Sequence, residues 1–243
     1  MNRTRTVLAV ALATLVAAAA APAASAAGQL DPSLSLVSPR PYQVFQRGAD
    51  GYGDILVAGR AVGLGSDLEA RWGDEPWAPF AGRPDGAFAL RLGARLPGQA
   101  TLQVRGATRP DIVVSCEYVG VGDIYVVAGQ SNASGRGAFP SSYSHPVFRA
   151  ALFGNDDRWK DLTDPVDSAA GQVDRVSVEG GAGGSVWPLL ATELMAAEAV
   201  PVAFVPCAKS GTRIARWVEN AAAPHSRSTL YGSMLRRVRA VGG

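Results

Sequence analysis

Apolar residues in the first half of the chain recur at every second position. AFALRL (87–92) and TLQV (101–104) alternate apolar with polar side chains, the pattern of a strand with one buried face. GDILVAGRAV (53–62), LEARW (68–72), GAFALRLGARL (86–96) and QATLQVRG (99–106) share that strand character. Asp85-Gly86 and Pro97-Gly98 mark turns between them. Strands at this spacing, without helical periodicity, predict a small antiparallel β-sandwich over residues 27–117.

The pattern changes near Tyr118. IYVVAG (124–129) and VPVAFVPCA (200–208) are continuous apolar runs, expected of parallel strands buried on both faces. WPLLATELMAAEA (187–199) has apolar positions at helical spacing, and STLYGSMLRRVRAVGG (228–243) reads as an amphipathic helix ending in Gly-Gly. KSGTRIARWVEN (209–220) reads as a turn and short helix, and the stretch from Ser141 to Glu179 as loop. Strand, turn, helix, strand, turn, helix predicts the start of a doubly wound α/β sheet over 118–243. Two such strands need covered faces and neighbours for their edges, so the sheet is expected to be incomplete within these residues.

Composition adds a leader and removes several partners. Asn2 to Arg5 is a basic n-region, Val7 to Ala21 an apolar h-region, and Ala24-Ser25-Ala26 a small-x-small cleavage site. Residues 1–26 are therefore expected to be a cleaved signal peptide, giving a secreted or periplasmic protein. No later stretch approaches the ~20 apolar residues that span a bilayer, so no membrane partner is expected after cleavage. With net charge +2 and 18% charged residues, nothing points to nucleic acid. Cys116 and Cys207 lie in apolar strand-like stretches, which favours two buried thiols over a disulfide. Neither has metal-ligand spacing, and no metal or cofactor is expected.

Sites in open α/β sheets lie beyond the carboxyl ends of the strands. Gly129-Gln130-Ser131-Asn132 and Lys209-Ser210-Gly211-Thr212 both fall there. A serine on such a corner faces solvent from a rigid support, beside backbone N–H groups able to hold an oxyanion. The alternative is a helix N-cap. The G-x-S-x-G elbow is not met, because Ala133 occupies its last position.

GDIYVVAGQSNASGRG (122–137) resembles the first block of the SGNH (GDSL-like) hydrolases, in the form found in sialate O-acetylesterase-like carbohydrate esterases. Gly122, Asp123, Gly129, Gln130, Ser131, Asn132 and Gly135 match, with Ala133 where Met is usual. RWKDLTDPVD, EGGAGGSVWPLLATEL and VPVAFVPCAKSGTRIARW resemble later blocks in the family's order, with Ser210 replacing a glycine. The resemblance implies an incomplete SGNH-type (flavodoxin-like) three-layer α/β fold, preceded by the β-sandwich. It implies Ser131 as nucleophile, an oxyanion hole from the N–H of Ser131 with that of Gly183 or Gly184, and an acylated carbohydrate as substrate. Gln130, Asn132, Lys209, Gly211 and Thr212 are the candidate pocket residues.

A serine nucleophile needs an adjacent base. The family supplies it from a late Asp-x-x-His block, preceded by a Gln-Gly-Glu block, and both are absent here. His145 and His225 read as loop histidines, and Ala222 stands three positions before His225. Gly154-Asn155-Asp156 mimics another block out of order and reads as a turn. The expectation is a secreted carbohydrate esterase, deacetylating sugars, whose residues 1–243 turn over negligibly. Two other readings stay open. One is a non-catalytic carbohydrate-binding or scaffolding protein, with Trp72, Trp77 and Phe80 as platform or core. The other is a structural sandwich in which 27–117 folds alone.

Overall fold

The computed structural model describes residues 31–64, 67–81 and 86–243. The expected leader over 1–26, and Asp85 of the Asp85-Gly86 turn, lie outside the described residues. The first half forms strands β1 (Ser33–Ser38), β2 (Val44–Gln46), β3 (Gly53–Val62), β4 (Asp67–Trp72), β5 (Ala78–Ala81), β6 (Gly86–Arg95) and β7 (Gly98–Gly106). The long β8 (Val113–Val127) follows. β3 lies between β1 and β6 in an antiparallel three-stranded sheet. β5, β4, β7 and the first part of β8 run antiparallel in a second sheet.

Alternation places every second residue of β3 inward, and the two sheets share one core. Ile55, Val57 and Leu92 from one sheet meet Leu68, Leu102, Val104, Val119 and Val121 from the other. Trp72 packs against this core and donates from Nε1 to the Val119 carbonyl at 3.1 Å. Phe80 tilts onto Phe88 in the same core, with ring centroids 5.7 Å apart. Trp77 has the guanidiniums of Arg71 and Arg105 over its ring, at 4.6 and 4.0 Å. These three aromatics therefore do not make a shared sugar platform.

β8 crosses the Glu117–Tyr118 position without a break. Ala100 faces Val119 and Leu102 faces Cys116, so Thr101 opposes two residues, a bulge at Glu117 and Tyr118. Tyr118 adopts φ 56° and stacks on Tyr42 at 4.8 Å. Bulges bend a strand and increase its twist. Beyond this one, β8 keeps β7 antiparallel as far as Val121 and gains parallel neighbours: β2 against 120–122, and β11 (Val202–Pro206) against 123–127. β9 (Ala151–Phe153) adds parallel to β11, and β10 (Trp159–Asp161) closes that side antiparallel to β9. The order is β10-β9-β11-β8-β7-β4-β5, with β2 also on β8. The parallel sheet expected over 118–243 is part of one mixed sheet in which β8 serves both halves. The short strands β2, β5, β9 and β10 carry too few residues to show a period, whereas β1, with the sequence SLSLVS, alternates exposed and half-buried positions.

Short helix α1 (Ser131–Ser134) follows β8, α2 (Trp187–Glu198) precedes β11, and α3 (Leu230–Ala240) follows it. Ala191 and Met195 of α2 cover Val127, Leu152, Val202 and Phe204. Met234 of α3, with Val241, covers Phe153, Val205 and Cys207 on the other face. Thr229 caps α3 by accepting the Gly232 N–H at 3.1 Å. Arg237, 2% exposed, donates to the carbonyls of Phe153, Gly154 and Pro206 and to Asn155 Oδ1, which locks α3 to the strand ends. Gly154-Asn155-Asp156 forms the turn between β9 and β10, as its sequence predicts. Both cysteines are buried free thiols, and burial pushes each up to about 11. Among the described residues no helix is long and apolar enough to cross a membrane.

Candidate active site

The corner after β8 and the turn after β11 lie side by side. The Cys207 N–H donates to the Val127 carbonyl at 2.8 Å, and the Lys209 N–H to the Gly129 carbonyl at 2.9 Å. Parallel pairing thus continues past the formal strand ends and delivers Gln130–Asn132 and Lys209–Thr212 to one rim. Ser131 opens α1 and is half-buried. The N-cap position belongs to Gln130, whose side chain makes no cap bond. The Ser131 hydroxyl is therefore not closing a helix, and it has no hydrogen-bond partner among the described residues. Its backbone N–H lies in the first turn, where a helix has no internal acceptor to offer.

After α1 the chain pairs with the glycine block. Gly137 and Gly184 exchange backbone bonds at 2.8 and 2.9 Å, and the Gly183 N–H donates to the Gly135 carbonyl at 3.0 Å. The fit is close enough that a Cβ on Gly184 would meet the Phe139 carbonyl oxygen at 1.8 Å. The ladder brings the glycine block to the corner. It also engages the N–H groups of both Gly183 and Gly184 with carbonyls, so neither is free here for the expected oxyanion role.

The other expected residues divide by exposure. Gln130, Asn132 and Gly211 are exposed at the rim. Lys209 turns its ammonium to the Val178 carbonyl. Thr212 is 7% exposed, and it fastens its own turn by donating to the Lys209 carbonyl at 2.6 Å and accepting from Trp217 Nε1 at 3.2 Å. His145 accepts the N–H groups of Val147 and Phe148 at Nδ1, while His225 is exposed in its loop. Neither is hydrogen-bonded to Ser131.

A clasp that no sequence argument anticipated holds this corner. Glu179 is 4% exposed; its carboxylate accepts from the Ser210 N–H at 2.7 Å, from the Gly181 N–H, and from Arg136. Arg136 also donates to Ser210 Oγ and the Gly181 carbonyl. Burial alone would raise the Glu179 carboxyl, but the Ser210 and Gly181 hydrogen bonds and the Arg136 charge outweigh it and hold it at about 2. One ion pair thereby joins the loop after α1, the glycine block and the turn after β11. The available signal was a lone charge set among glycines, in GRG and again in VEGG. Asp164 buttresses the block from behind, accepting the Ser141 and Ser185 N–H groups at 2.8 and 2.9 Å and the Ser185 hydroxyl at 2.6 Å.

A mixed sheet with helices on both faces of its parallel part, and polar turns beyond its strand ends, defines an α/β fold. The chain belongs to the family of sialic acid-specific acetylesterases, a carbohydrate esterase family, whose model matches residues 121–243. Among solved structures it is similar to a carbohydrate acetylesterase from Xanthomonas citri, at 22% identity and TM-score 0.46, over 85% of this chain and 48% of that one. It is also similar to a protein from Arabidopsis thaliana, at 22% identity and TM-score 0.35, over 49% of this chain and 50% of the other. The chain thus spans about half the length of either. No curated protein matches it in sequence.

Proposed function

We propose that the protein is an exported serine esterase that removes acetyl groups from carbohydrates, with Ser131 as nucleophile. The observation that carries this is an unpartnered, half-buried hydroxyl on the corner after β8, in a chain whose family is one of carbohydrate acetylesterases. Ser131 Oγ attacks the acetyl carbonyl; the sugar hydroxyl leaves, and water then releases acetate from the acyl-serine. The N–H groups at the start of α1 support the oxyanion, since those of Gly183 and Gly184 are engaged. The Glu179–Arg136 pair is a positioning device that keeps the turns in place.

No base is hydrogen-bonded to the Ser131 hydroxyl among the described residues, which favours slow hydrolysis. The test is release of p-nitrophenol from its acetate, with and without added imidazole as a diffusible base. We expect a slow rate that imidazole raises and Ser131→Ala abolishes. A Ser131→Ala protein indistinguishable from the parent, with imidazole present, overturns the assignment of the nucleophile.

A further inference from the structure

We infer that Asp167 is a positioning residue for the Ser131 corner, acting through Ser134 on the peptide unit that carries the Ser131 N–H. Asp167 lies in the loop after β10 and is 1% exposed. Its Oδ1 accepts Asn155 Nδ2 at 2.7 Å, whereas Oδ2 is buried with no donor in hydrogen-bonding geometry. Asn155 passes the contact on, since its own Oδ1 accepts from Arg237. Every acceptor that Arg237 donates to is neutral. A buried cation and a buried carboxyl are thus held one amide apart, and the cation favours the charged form of Asp167.

Ser134 connects this pair to the corner. It is the last residue of α1, fully buried, and close enough to Asp167 to favour the ionised carboxyl. Its hydroxyl donates to the Gln130 carbonyl at 3.4 Å, a long bond to an oxygen that already accepts the Ser134 N–H at 3.0 Å. The hydroxyl therefore has a poor acceptor in Gln130 and an empty one in Asp167 Oδ2. An ionised Oδ2 is the stronger of the two, because a hydrogen bond to a charged oxygen is about twice as strong as a neutral one. Protonation removes that advantage and leaves the hydroxyl on Gln130. The Gln130 carbonyl and the Ser131 N–H belong to one planar peptide unit, so a pull on the first turns the second. Burial raises the Asp167 carboxyl; Asn155, Ser134 and Arg237 draw it back, and the Glu179 charge raises it further. The other titratable groups facing it are Glu179, at about 2, Cys207, at about 11, and Arg237, lowered by burial yet still a cation. Within this group Asp167 alone changes charge between those two values. Its purpose rests on the reading of Ser131 as nucleophile; its action on α1 does not.

The reporter is Trp187, whose indole N–H donates to the Ala133 carbonyl of α1 at 2.8 Å. Its indole resonance, identified by its loss in Trp187→Phe, is followed by NMR of the whole chain from acid to neutral pH. We expect a step with its midpoint above the ordinary 3.8, absent from Asp167→Asn and largely removed in Ser134→Ala. Ser134→Ala keeps the charge, and it decides the matter if Asp167→Asn does not fold. A flat resonance in the parent, the same step in Asp167→Asn, or an unchanged step in Ser134→Ala overturns the inference. In the imidazole-assisted assay, Ser134→Ala should lower the Ser131-dependent rate about tenfold, less than the ~10²–10³ lost with an oxyanion donor outright. A rate equal to the parent's overturns the positioning role. If the parent shows no Ser131-dependent rate, the nucleophile assignment falls, and the resonance by itself decides whether Asp167 controls α1.

Discussion

The carboxylate of Glu179 shows how much one side chain decides at this site. It is buried, accepts two backbone N–H groups and faces Arg136, and its pKa lies far below the ordinary 4.5. A depressed folded-state value means that the charged form is favoured by folding. Its contribution is complete above about pH 4.5 and disappears as the pH falls toward about 2. Glu179→Gln should lower stability at neutral pH by about 1–3 kcal/mol, from hydrogen bonds that lose their charge. Urea unfolding should then show a smaller further loss between pH 4.5 and 2 in the variant than in the parent. Asp167 is raised by burial and in part by the Glu179 charge, so it works in the opposite direction in the parent and somewhat less so in the variant. None of this was legible from Glu179 alone, because its partners Arg136 and Ser210 stand 43 and 31 positions away. Ser131, by contrast, was legible: the apolar run, the glycine and the polar turn are contiguous, and that local order fixes a corner.

At the scale of elements, the strand period located the long strands, and apolar spacing located α2 and α3. The pairing partners were not local information. β8 reads as two strands with a seam at Tyr118, yet it is continuous, because a bulge lets one strand serve an antiparallel and then a parallel neighbour. Gly122 sits where β11 comes close: a Cβ there would lie 2.0 Å from the Pro201 carbonyl oxygen. That oxygen also accepts the Asp123 N–H at 3.0 Å, so it cannot retreat without breaking the first rung between β8 and β11. Gly122→Ala should therefore cost about 2–3 kcal/mol in urea unfolding, as overpacking does. A cost under half of that would mean the strands can separate locally. This close approach gives a physical reason for the glycine in the Gly122-Asp123 motif.

For the whole molecule, the consequence is that the two halves are not independent. The core of the first half includes Val119 and Val121, both fully buried, and Gly98–Ala100 of β7 pair with residues 119–121. A fragment of residues 27–117 lacks these side chains and rungs; a fragment of residues 27–122 keeps them. Cooperative thermal unfolding is expected for the longer fragment and not for the shorter. Equal unfolding of both would show that the core closes without the shared strand. Arg47 adds a second tie across the halves, with two bonds to Asp123 at 2.9 and 2.8 Å.

The sequence by itself determined the one-sided strands, the burial of β11 on both faces, the helices and the serine corner, because each depends on side-chain period or on adjacent residues; the end of β8, also expected to be buried on both faces, leaves Val126 41% exposed. Tertiary structure alone decided that one strand joins both halves and that the amides of Gly183 and Gly184 are engaged by Gly135 and Gly137. It also decided that Glu179 and Arg136 clasp the site, and that Asn155 joins Asp167 to Arg237 beneath it. Hydrogen-bond satisfaction and ion pairing are settled by what the fold brings together across long separations, and no local pattern encodes them.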